Sequence, residues 1–410
     1  MISRCSTPAV LFITISAIAA TAQEPLSLQD AVSTALQQHP ALQASADRIA
    51  VSEALRRQAA LSPNPKLILQ SENTRPYLNS SFVYWRDTDN FAYLQQTLET
   101  AGKRDRRVDL AAANIRRTEL ERELLRFQIA SRVKHAYWAA AGASTIAALL
   151  REDRASFQGI IQYHEIRVRE GAVAEADLIR VRLEGERLAI AQNAADLEAE
   201  RTRIHLFREM GRTEFPAATF ADPLEPLPDT PAVDIEQALE RRPEIKLALQ
   251  IADVSRANLR FQQVTAKPNV DVLFGYKRAT GYDSLIGGVQ VDLPFLNRNQ
   301  GNISAAESDI RAAESTVAAT KALIRAEIAA AARDVELRRR QLGDSFQAMR
   351  KQADDTARIA EAAYREGGAD LLRLLDAQRV RIETQLFYQR ALAEYRQSAV
   401  NLETALGMAP

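Results

Sequence analysis

The chain has 410 residues, with 53 basic and 53 acidic side chains, one cysteine, 15 glycines and 15 prolines. A formal charge of zero argues against a nucleic-acid-binding protein, which needs a basic excess to displace counterions. The single cysteine, Cys5, excludes an intrachain disulfide and a cysteine-based zinc site. Glycine and proline supply 30 of 410 residues, about 7%, against roughly 12% on average. So few helix breakers in so long a chain predict long helices.

The N-terminus is typical of an export signal. Arg4 gives a positive start, residues 9–20 form a short apolar run, and Ala20-Thr21-Ala22 fits the small-x-small rule. We expect residues 1–22 to be a signal peptide cleaved after Ala22, with a buried apolar helix as the alternative. Because Cys5 precedes the apolar run, we expect no lipid anchor. No later segment approaches 18 uninterrupted apolar residues, so the exported chain is expected either to stay soluble or to enter an outer membrane as β-strands.

The rest of the chain contains an internal repeat. Ala35, Leu36 and Pro40 match Ala238, Leu239 and Pro243 at an offset of 203 residues. The offset is 195 where Arg116 meets Arg311, and 196 where Arg169-Glu170-Gly171 meets Arg365-Glu366-Gly367. We therefore predict a first repeat over 23–214, a Pro-rich linker over 215–233 and a second repeat over 234–410.

Both repeats show the same order of predicted elements. Two helices broken at His39-Pro40 or Arg242-Pro243 come first, followed by two strands, a very long helix and a return helix. The strands are expected at about 66–73 and 91–99, and at about 269–277 and 287–294. The long helices run over 104–170 and 302–366, to tips near Gly171 and Gly367. At about 1.5 Å per residue they reach roughly 100 Å, so the molecule must be elongated.

The predicted strands help to distinguish between two possible architectures, a membrane β-barrel and a coiled-coil rod. Val270, Val272 and Phe274 alternate with Asp271 and other less apolar positions, which is the period-two pattern of a membrane β-barrel. Four strands cannot close a barrel, and an open sheet edge in lipid is forbidden, so several chains would have to complete it. Three chains would give twelve strands. The alternative is a plain periplasmic coiled-coil rod, since the helices also carry apolar positions at steps of three and four.

These features together resemble the TolC-type outer-membrane efflux proteins over essentially the whole mature length. The tandem repeat, the strand pairs, the Glu170-Gly171 and Glu366-Gly367-Gly368 turns, and residues 374–378 (Leu-Leu-Asp-Ala-Gln) carry the resemblance. The segments 62–65 (Ser-Pro-Asn-Pro), 99–104 (Glu-Thr-Ala-Gly-Lys-Arg) and 293–301 (Leu-Pro-Phe-Leu-Asn-Arg-Asn-Gln-Gly) are similar to the heavy-metal (cobalt-zinc-cadmium) efflux branch.

The resemblance implies a mainly α fold with a small β part. The protomer would contribute four strands to a trimeric, twelve-stranded outer-membrane β-barrel and long helices to a periplasmic α-barrel. It implies an exit duct in the outer membrane of a Gram-negative bacterium, with a periplasmic adaptor, an inner-membrane RND pump and outer-membrane lipid as partners. Heavy-metal cations are the expected cargo. A multidrug or type I secretion channel, and more distantly the coiled-coil rod, remain as alternatives.

The same resemblance assigns roles at the two tips. Asp177 falls on a family carboxylate that bonds a tyrosine of the other hairpin, and Tyr364 falls on that tyrosine. Asp376 falls on a constricting acidic ring, whereas Arg373 stands where a second acidic member would be. These four residues are the predicted periplasmic gate. Adaptor docking is expected at Glu170, Gly171, Glu366, Gly367 and Gly368.

No sequence motif predicts catalysis or a bound cofactor. The chain has no Gly-rich phosphate loop, HExxH or GxSxG motif, so we expect no enzyme activity. The four histidines, His39, His135, His164 and His205, lack a second His or Cys at ligand spacing. We expect them to be isolated histidines on helix surfaces, and we expect no metal site.

Overall fold

A computed structural model describes residues 25–74, 77 and 81–408 of the chain. The predicted signal peptide, residues 1–22 with its cleavage site after Ala22, lies outside the described residues. The first repeat contains the helices α1 (Leu28–Gln38) and α2 (Pro40–Ala59) and the strand β1 (Lys66–Glu72). A short helix, α3 (Tyr84–Asp87), precedes β2 (Asp89–Leu98), the long helix α4 (Lys103–Arg169) and the return helix α5 (Glu175–Glu209).

The second repeat follows the same order without a counterpart of α3. It contains α6 (Ile235–Arg241), α7 (Pro243–Thr265), β3 (Val270–Ala279), β4 (Tyr282–Val291) and α8 (Gln300–Arg340). A π-helical segment, Gln341–Phe346, then leads into α9 (Gln347–Arg365), and α10 (Leu371–Ala405) returns from the tip. Among the described residues, no helix combines the length and apolar character needed to cross a membrane.

The first two helices of each repeat meet at an X-Pro step. His39 and Arg242 both have extended backbone conformations, which a residue before proline favours, and Pro40 and Pro243 open the next helix. The return helices end beside these steps. A Cβ at Gly211 would meet the Cδ of Pro40 at 2.8 Å, and one at Gly407 would meet the Cβ of Arg241 at 3.0 Å. The repeat therefore extends from sequence to packing.

The four strands form one antiparallel sheet in the order β1-β2-β3-β4. Its register aligns apolar residues in rows across the strands: Leu67, Leu94 and Phe274 are successive partners. Phe274 is 63% exposed and Leu285, in the neighbouring row, is 75% exposed. The sheet therefore presents an uncovered apolar face, and β1 and β4 are its outer strands.

Two predictions about the second repeat were wrong: the position of one strand and the continuity of the long helix. The strand expected at 287–294 runs from Tyr282 to Val291, because the β3–β4 turn occupies only Thr280 and Gly281, and Ala279 already pairs with Tyr282. Both turn residues have positive φ, which a two-residue hairpin turn needs. The helix expected to run unbroken over 302–366 is interrupted by the π-helical segment.

The π-helical segment explains a detail of the repeat. Between the offsets of 195 and 196 residues, the second repeat gains one residue relative to the first. A π-helical turn bonds residue i to i+5 and so takes up one extra residue inside an α-helix. The inserted residue therefore lies within Gln341–Phe346, and the helix keeps the same face buried on both sides of it: Val335 before it, Ala353 and Ala357 after it.

Helix α4 is the central packing element. Its middle part contributes Ile129, Val133 and Tyr137 to a core shared with α1, α8, α10 and the linker. Its C-terminal part contributes Leu150 and Phe157 to a second core near the tip. The linker is fastened to α4 and α10. The hydroxyl of Tyr137 donates to Asp222 (2.7 Å), and the guanidinium of Arg396 donates to the carbonyls of Pro223, Leu224 and Pro226.

Candidate functional site at the helical tip

Both long helices end in the same backbone motif. Gly171 and Gly367 have φ values of 69° and 79°, and the following residues, Ala172 and Gly368, donate to carbonyls five positions back (2.9 and 2.7 Å). These are Schellman caps, which favour glycine because the left-handed conformation penalises a Cβ. Apart from the chain directly adjoining each glycine, no atom in the described part of the chain lies within 4 Å of a Cβ built at Gly171 or Gly367. Backbone conformation, rather than crowding, therefore requires glycine at both tips.

The helices that leave the two tips begin differently. Asp370 caps α10, because its Oδ1 accepts from the N–H of Arg373 (2.8 Å). Helix α5 has no side-chain cap at Ala174, but it carries Glu175 and Asp177 in its first turn. Negative charge there offsets the positive end of the helix dipole. Asp177 thus has a local helix-stabilising role that does not depend on a gate.

The predicted partner of Tyr364 was wrong. Its hydroxyl lies 2.8 Å from Nε2 of His164, on α4, and the two rings stack with centroids 5.4 Å apart and 19° between planes. No hydrogen bond joins Tyr364 to Asp177 in the described part of the chain. Burial raises the pKa of the Tyr364 hydroxyl, as do Tyr163 and Asp177 nearby, while Arg167 lowers it. Tyr364 is therefore protonated at neutral pH and can donate to His164.

His164 also overturns the expectation of surface histidines. It has no exposed surface, and its Nδ1 lies 2.8 Å from the carbonyl oxygen of Ile160. Tyr163 meets its ring edge to face at 5.6 Å. Sequence reasoning missed this residue, although a signal was present: His164 continues the three- and four-residue steps of Phe157, Ile160 and Ile161, which pack in the tip core.

A second polar contact joins the repeats above the tip. Arg381 of α10 donates from Nη2 to Oδ1 of Asp153 on α4 (2.7 Å), and its Nε donates to Gln378 (3.1 Å). The Asp153 side chain is 5% exposed, and its Oδ2 is buried with no hydrogen-bond partner among the described residues. Burial raises the pKa of Asp153, against the opposing effect of Arg381. Sequence reasoning singled out neither residue, because charged residues on long helices usually face solvent.

The remaining predicted gate residues lie on the exposed surface of α10. Asp376 is paired with Arg379 one turn later (2.7 Å), and both side chains are more than half exposed. The Arg373 side chain is exposed and has no ion-pair partner among the residues that the structure describes. The protomer thus brings Tyr364 into an inter-repeat contact, leaves Arg373 and Asp376 facing outward, and presents the tip residues Glu170, Gly171, Glu366, Gly367 and Gly368 to solvent.

Across residues 25–74, 77 and 81–408, no group of three His, Cys, Asp or Glu side chains is placed to hold a metal ion. Two polar contacts join the repeats here: His164 with Tyr364, and Asp153 with Arg381. What the geometry can do is hold the two helical hairpins together or let them separate.

A repeated protomer that joins an open, outward-apolar β-sheet to two long helical hairpins has the fold of the TolC-type channel proteins. The crystal structure of CusC superposes with a TM-score of 0.77 at 18% identity, covering 93% of this chain and 92% of that one. The open state of the Neisseria gonorrhoeae MtrE outer membrane channel gives 0.77 at 17% identity, covering 93% and 88%.

Sequence comparisons agree with the fold. Residues 235–408 match the family model of the outer membrane efflux proteins. The chain is 24% identical over 388 residues to the cobalt-zinc-cadmium resistance protein CzcC of Cupriavidus metallidurans, covering 93% of this chain and 90% of that protein. The resemblance to the outer-membrane efflux proteins, predicted from the sequence, is confirmed, and so is the fold class.

Proposed function

We propose that this chain is the protomer of an outer-membrane exit duct in a tripartite efflux system. The observation that carries the proposal is the sheet: its apolar face is exposed, and the free edges of its outer strands β1 and β4 have no strand partner among the residues that the structure describes. In water such a face would favour aggregation, and in lipid such edges would be unsatisfied. Three copies, joined edge to edge, would close a twelve-stranded barrel and remove both problems.

The helical hairpins would continue this barrel as a tunnel in the periplasm. The tips lie at the opposite end of the long helices from the sheet, so they would face the inner membrane. We propose that a periplasmic adaptor docks at residues 170–171 and 366–368, and that an inner-membrane RND pump delivers the cargo. The exposed Schellman turns support the docking proposal, because their glycines present backbone to solvent and no described side chain lies within 4 Å of a Cβ built at Gly171 or Gly367.

Heavy-metal cations are the proposed cargo. The support is the similarity to CzcC and the three short segments characteristic of the heavy-metal branch. The duct itself would be passive: it would act neither as an enzyme nor as a metal-binding protein. A drug or protein exit channel is the alternative within the same class.

Closure of the tip is proposed to involve Asp177, Tyr364, Arg373 and Asp376. Tyr364 would act through a contact between hairpins, and Asp177 through its charge near that contact. Three copies of Arg373 and Asp376 would form a ring of mixed charge if these exposed positions face the tunnel.

A pair of charged substitutions on β4 tests the barrel against a coiled-coil rod. Leu285 lies on the apolar face and Ser284 on the opposite face, and both are exposed in the protomer. Leu285→Arg should cost about 2–4 kcal/mol if the face meets lipid near the bilayer centre, whereas Ser284→Arg would face the lumen and be tolerated. We expect the outer-membrane level of Leu285→Arg alone to fall. Equal levels of both variants would refute the barrel.

Deletion of the gene tests the cargo. The deleted strain should become sensitive to zinc, cobalt, cadmium, copper or silver, and the Ser284→Arg variant should restore resistance while Leu285→Arg should not. A deleted strain that becomes sensitive only to dyes or antibiotics would refute the metal proposal and favour a multidrug channel.

A further inference from the structure

We propose that His164 is the residue through which the first repeat holds the tip of the second, by its hydrogen bond to Tyr364. This inference rests on the proposed function, since it assigns the contact that keeps the duct closed. It differs from the family-based expectation, in which Asp177 bonds the tyrosine. The lock would then be made between the two long helices, α4 and α9, and α5 would contribute only charge.

The direction of the hydrogen bond follows from the other ring nitrogen. Nδ1 of His164 lies 2.8 Å from the carbonyl oxygen of Ile160, which can only accept. Nδ1 therefore carries a proton, and in the tautomer that carries only this proton Nε2 is an acceptor. Tyr364 must donate its hydroxyl hydrogen to Nε2, 2.8 Å away. The contact thus needs one specific atom from each repeat.

The surroundings hold both rings in place. The His164 ring stacks on the ring of Tyr364, and the ring of Tyr163 packs edge to face against the imidazole. Tyr163 is itself fixed by Arg167, whose Nη1 donates to its hydroxyl at 2.8 Å. Because His164 has no exposed surface, water cannot replace the tyrosine at Nε2 without separation of the helices.

The contact between His164 and Tyr364 lies close to both tip turns. Tyr364 lies in the last turn of α9, three residues before Gly367, and His164 lies two turns before Gly171. Separation of the tip turns therefore requires this contact to break. The Asp153–Arg381 pair, eleven residues (about 16 Å) further along α4, would remain as a pivot.

Spin labels at the two tips measure the separation directly. The mature chain is expected to lack cysteine, so Glu170→Cys and Glu366→Cys would give two labels per protomer. Their distances are measured by electron-electron double resonance in the purified full-length protein. We make His164→Phe, which keeps a buried ring but removes both nitrogens, and Tyr364→Phe, which removes only the hydroxyl. Asp177→Asn removes the charge near the contact but leaves the hydrogen bond in place, and His205→Gln is the control for an exposed histidine.

His164→Phe and Tyr364→Phe should each raise the longer-distance population by about two- to tenfold, the range expected for loss of one hydrogen bond. The double variant should show no more than either single variant, Asp177→Asn should widen the distances less than either ring variant does, and His205→Gln should match the parent. Unchanged distances in both ring variants, or an additive double variant, would overturn the assignment. So would widening in Asp177→Asn alone.

Conductance in planar bilayers separates this inference from the proposed function. A parent protein that forms pores whose conductance rises in His164→Phe supports both. A parent that forms no pores refutes the duct, yet the spin-label distances still decide whether His164 holds the tips together. Thermal unfolding of each variant, followed by circular dichroism, shows whether a change at the tip reflects general loss of structure.

Discussion

A pair of single-residue deletions tests whether the π-helical segment holds the residue that the second repeat gained. Each residue of an α-helix turns the chain by about 100°, so removing one normally rotates everything beyond it. Deletion of Gly343, inside the π-helical segment, should instead convert that segment to regular α-helix and leave both flanking helices in phase. Deletion of Ala330, an exposed residue in the regular part of α8, is the matched control.

The cost of each deletion follows from the buried seam. After loss of Ala330, either the upstream part of α8 turns Ile324 and Ile328 away from the core, or the downstream part does the same to Val335 and Leu342. Each such side chain contributes about 1.5–3 kcal/mol, so two of them cost about 3–6 kcal/mol. Loss of Gly343 exposes none of these residues and removes a helix-interior glycine, so we expect a change within about 1 kcal/mol.

Thermal unfolding in detergent at equal protomer concentration measures the difference, because the midpoint of an oligomer depends on concentration. The Gly343 deletion should keep its midpoint within a few degrees of the parent and reach the outer membrane at a normal level. The Ala330 deletion should lower the midpoint strongly or fail to accumulate. Equal damage by the two deletions would refute the assignment of the inserted residue.

Three further predictions follow from close packing and buried charge. Gly142→Ala would place its Cβ 2.5 Å from the Cβ of Ala393 and should cost about 1–3 kcal/mol by overpacking. Gly159→Ala on the same helix meets nothing within 4 Å and should be neutral or stabilising, and Ala393→Gly should rescue Gly142→Ala in the thermal midpoint. Gly275→Ala would drive a Cβ into the backbone of β2, so folded protein should be lost from the outer membrane, as heat-modifiable gel mobility would show. Burial raises the pKa of Asp153, so the native state binds a proton there more tightly than the unfolded state does. Relative to the Asp153→Asn variant, the free energy of unfolding of the parent should therefore rise as the pH falls through the native pKa of Asp153 toward its ordinary value of 3.8. Parallel pH profiles of the two proteins would contradict this.

The sequence was a good guide to the elements with strong periodicity or fixed backbone requirements. The long α4 helix was expected over 104–170 and lies at Lys103–Arg169, and the tip glycines adopt the positive φ that helix ends require. Apolar spacing and glycine needs are local properties, so they can be read without knowledge of neighbours. The loop between β3 and β4 was expected to be longer, and the start of β4 was placed too late, because Thr280-Gly281 lacks the usual Asn-Gly pattern.

The interruption of the second long helix could not be located from propensity. Gly343, Asp344 and Ser345 have low helix propensity, but such residues weaken a helix without showing where a residue was inserted, and a π-helical turn differs from an α-helical one by a single residue. The information was nevertheless present in the internal repeat, as a change of offset by one. Comparison of the two halves of one chain therefore reports an insertion that inspection of either half misses.

The tip shows why a residue role does not transfer by position alone. Asp177 aligns with a family carboxylate, but a hydrogen bond depends on which acceptor the folded chain brings within about 3 Å of the hydroxyl. Here the acceptor within that distance is Nε2 of His164, a residue buried on the packing seam of α4. A histidine at a seam position loses its water, so it must find partners among neighbouring helices. Buried polar residues on the packing seam of a long helix, rather than charges near its turn, are therefore where inter-repeat contacts of this fold should be sought.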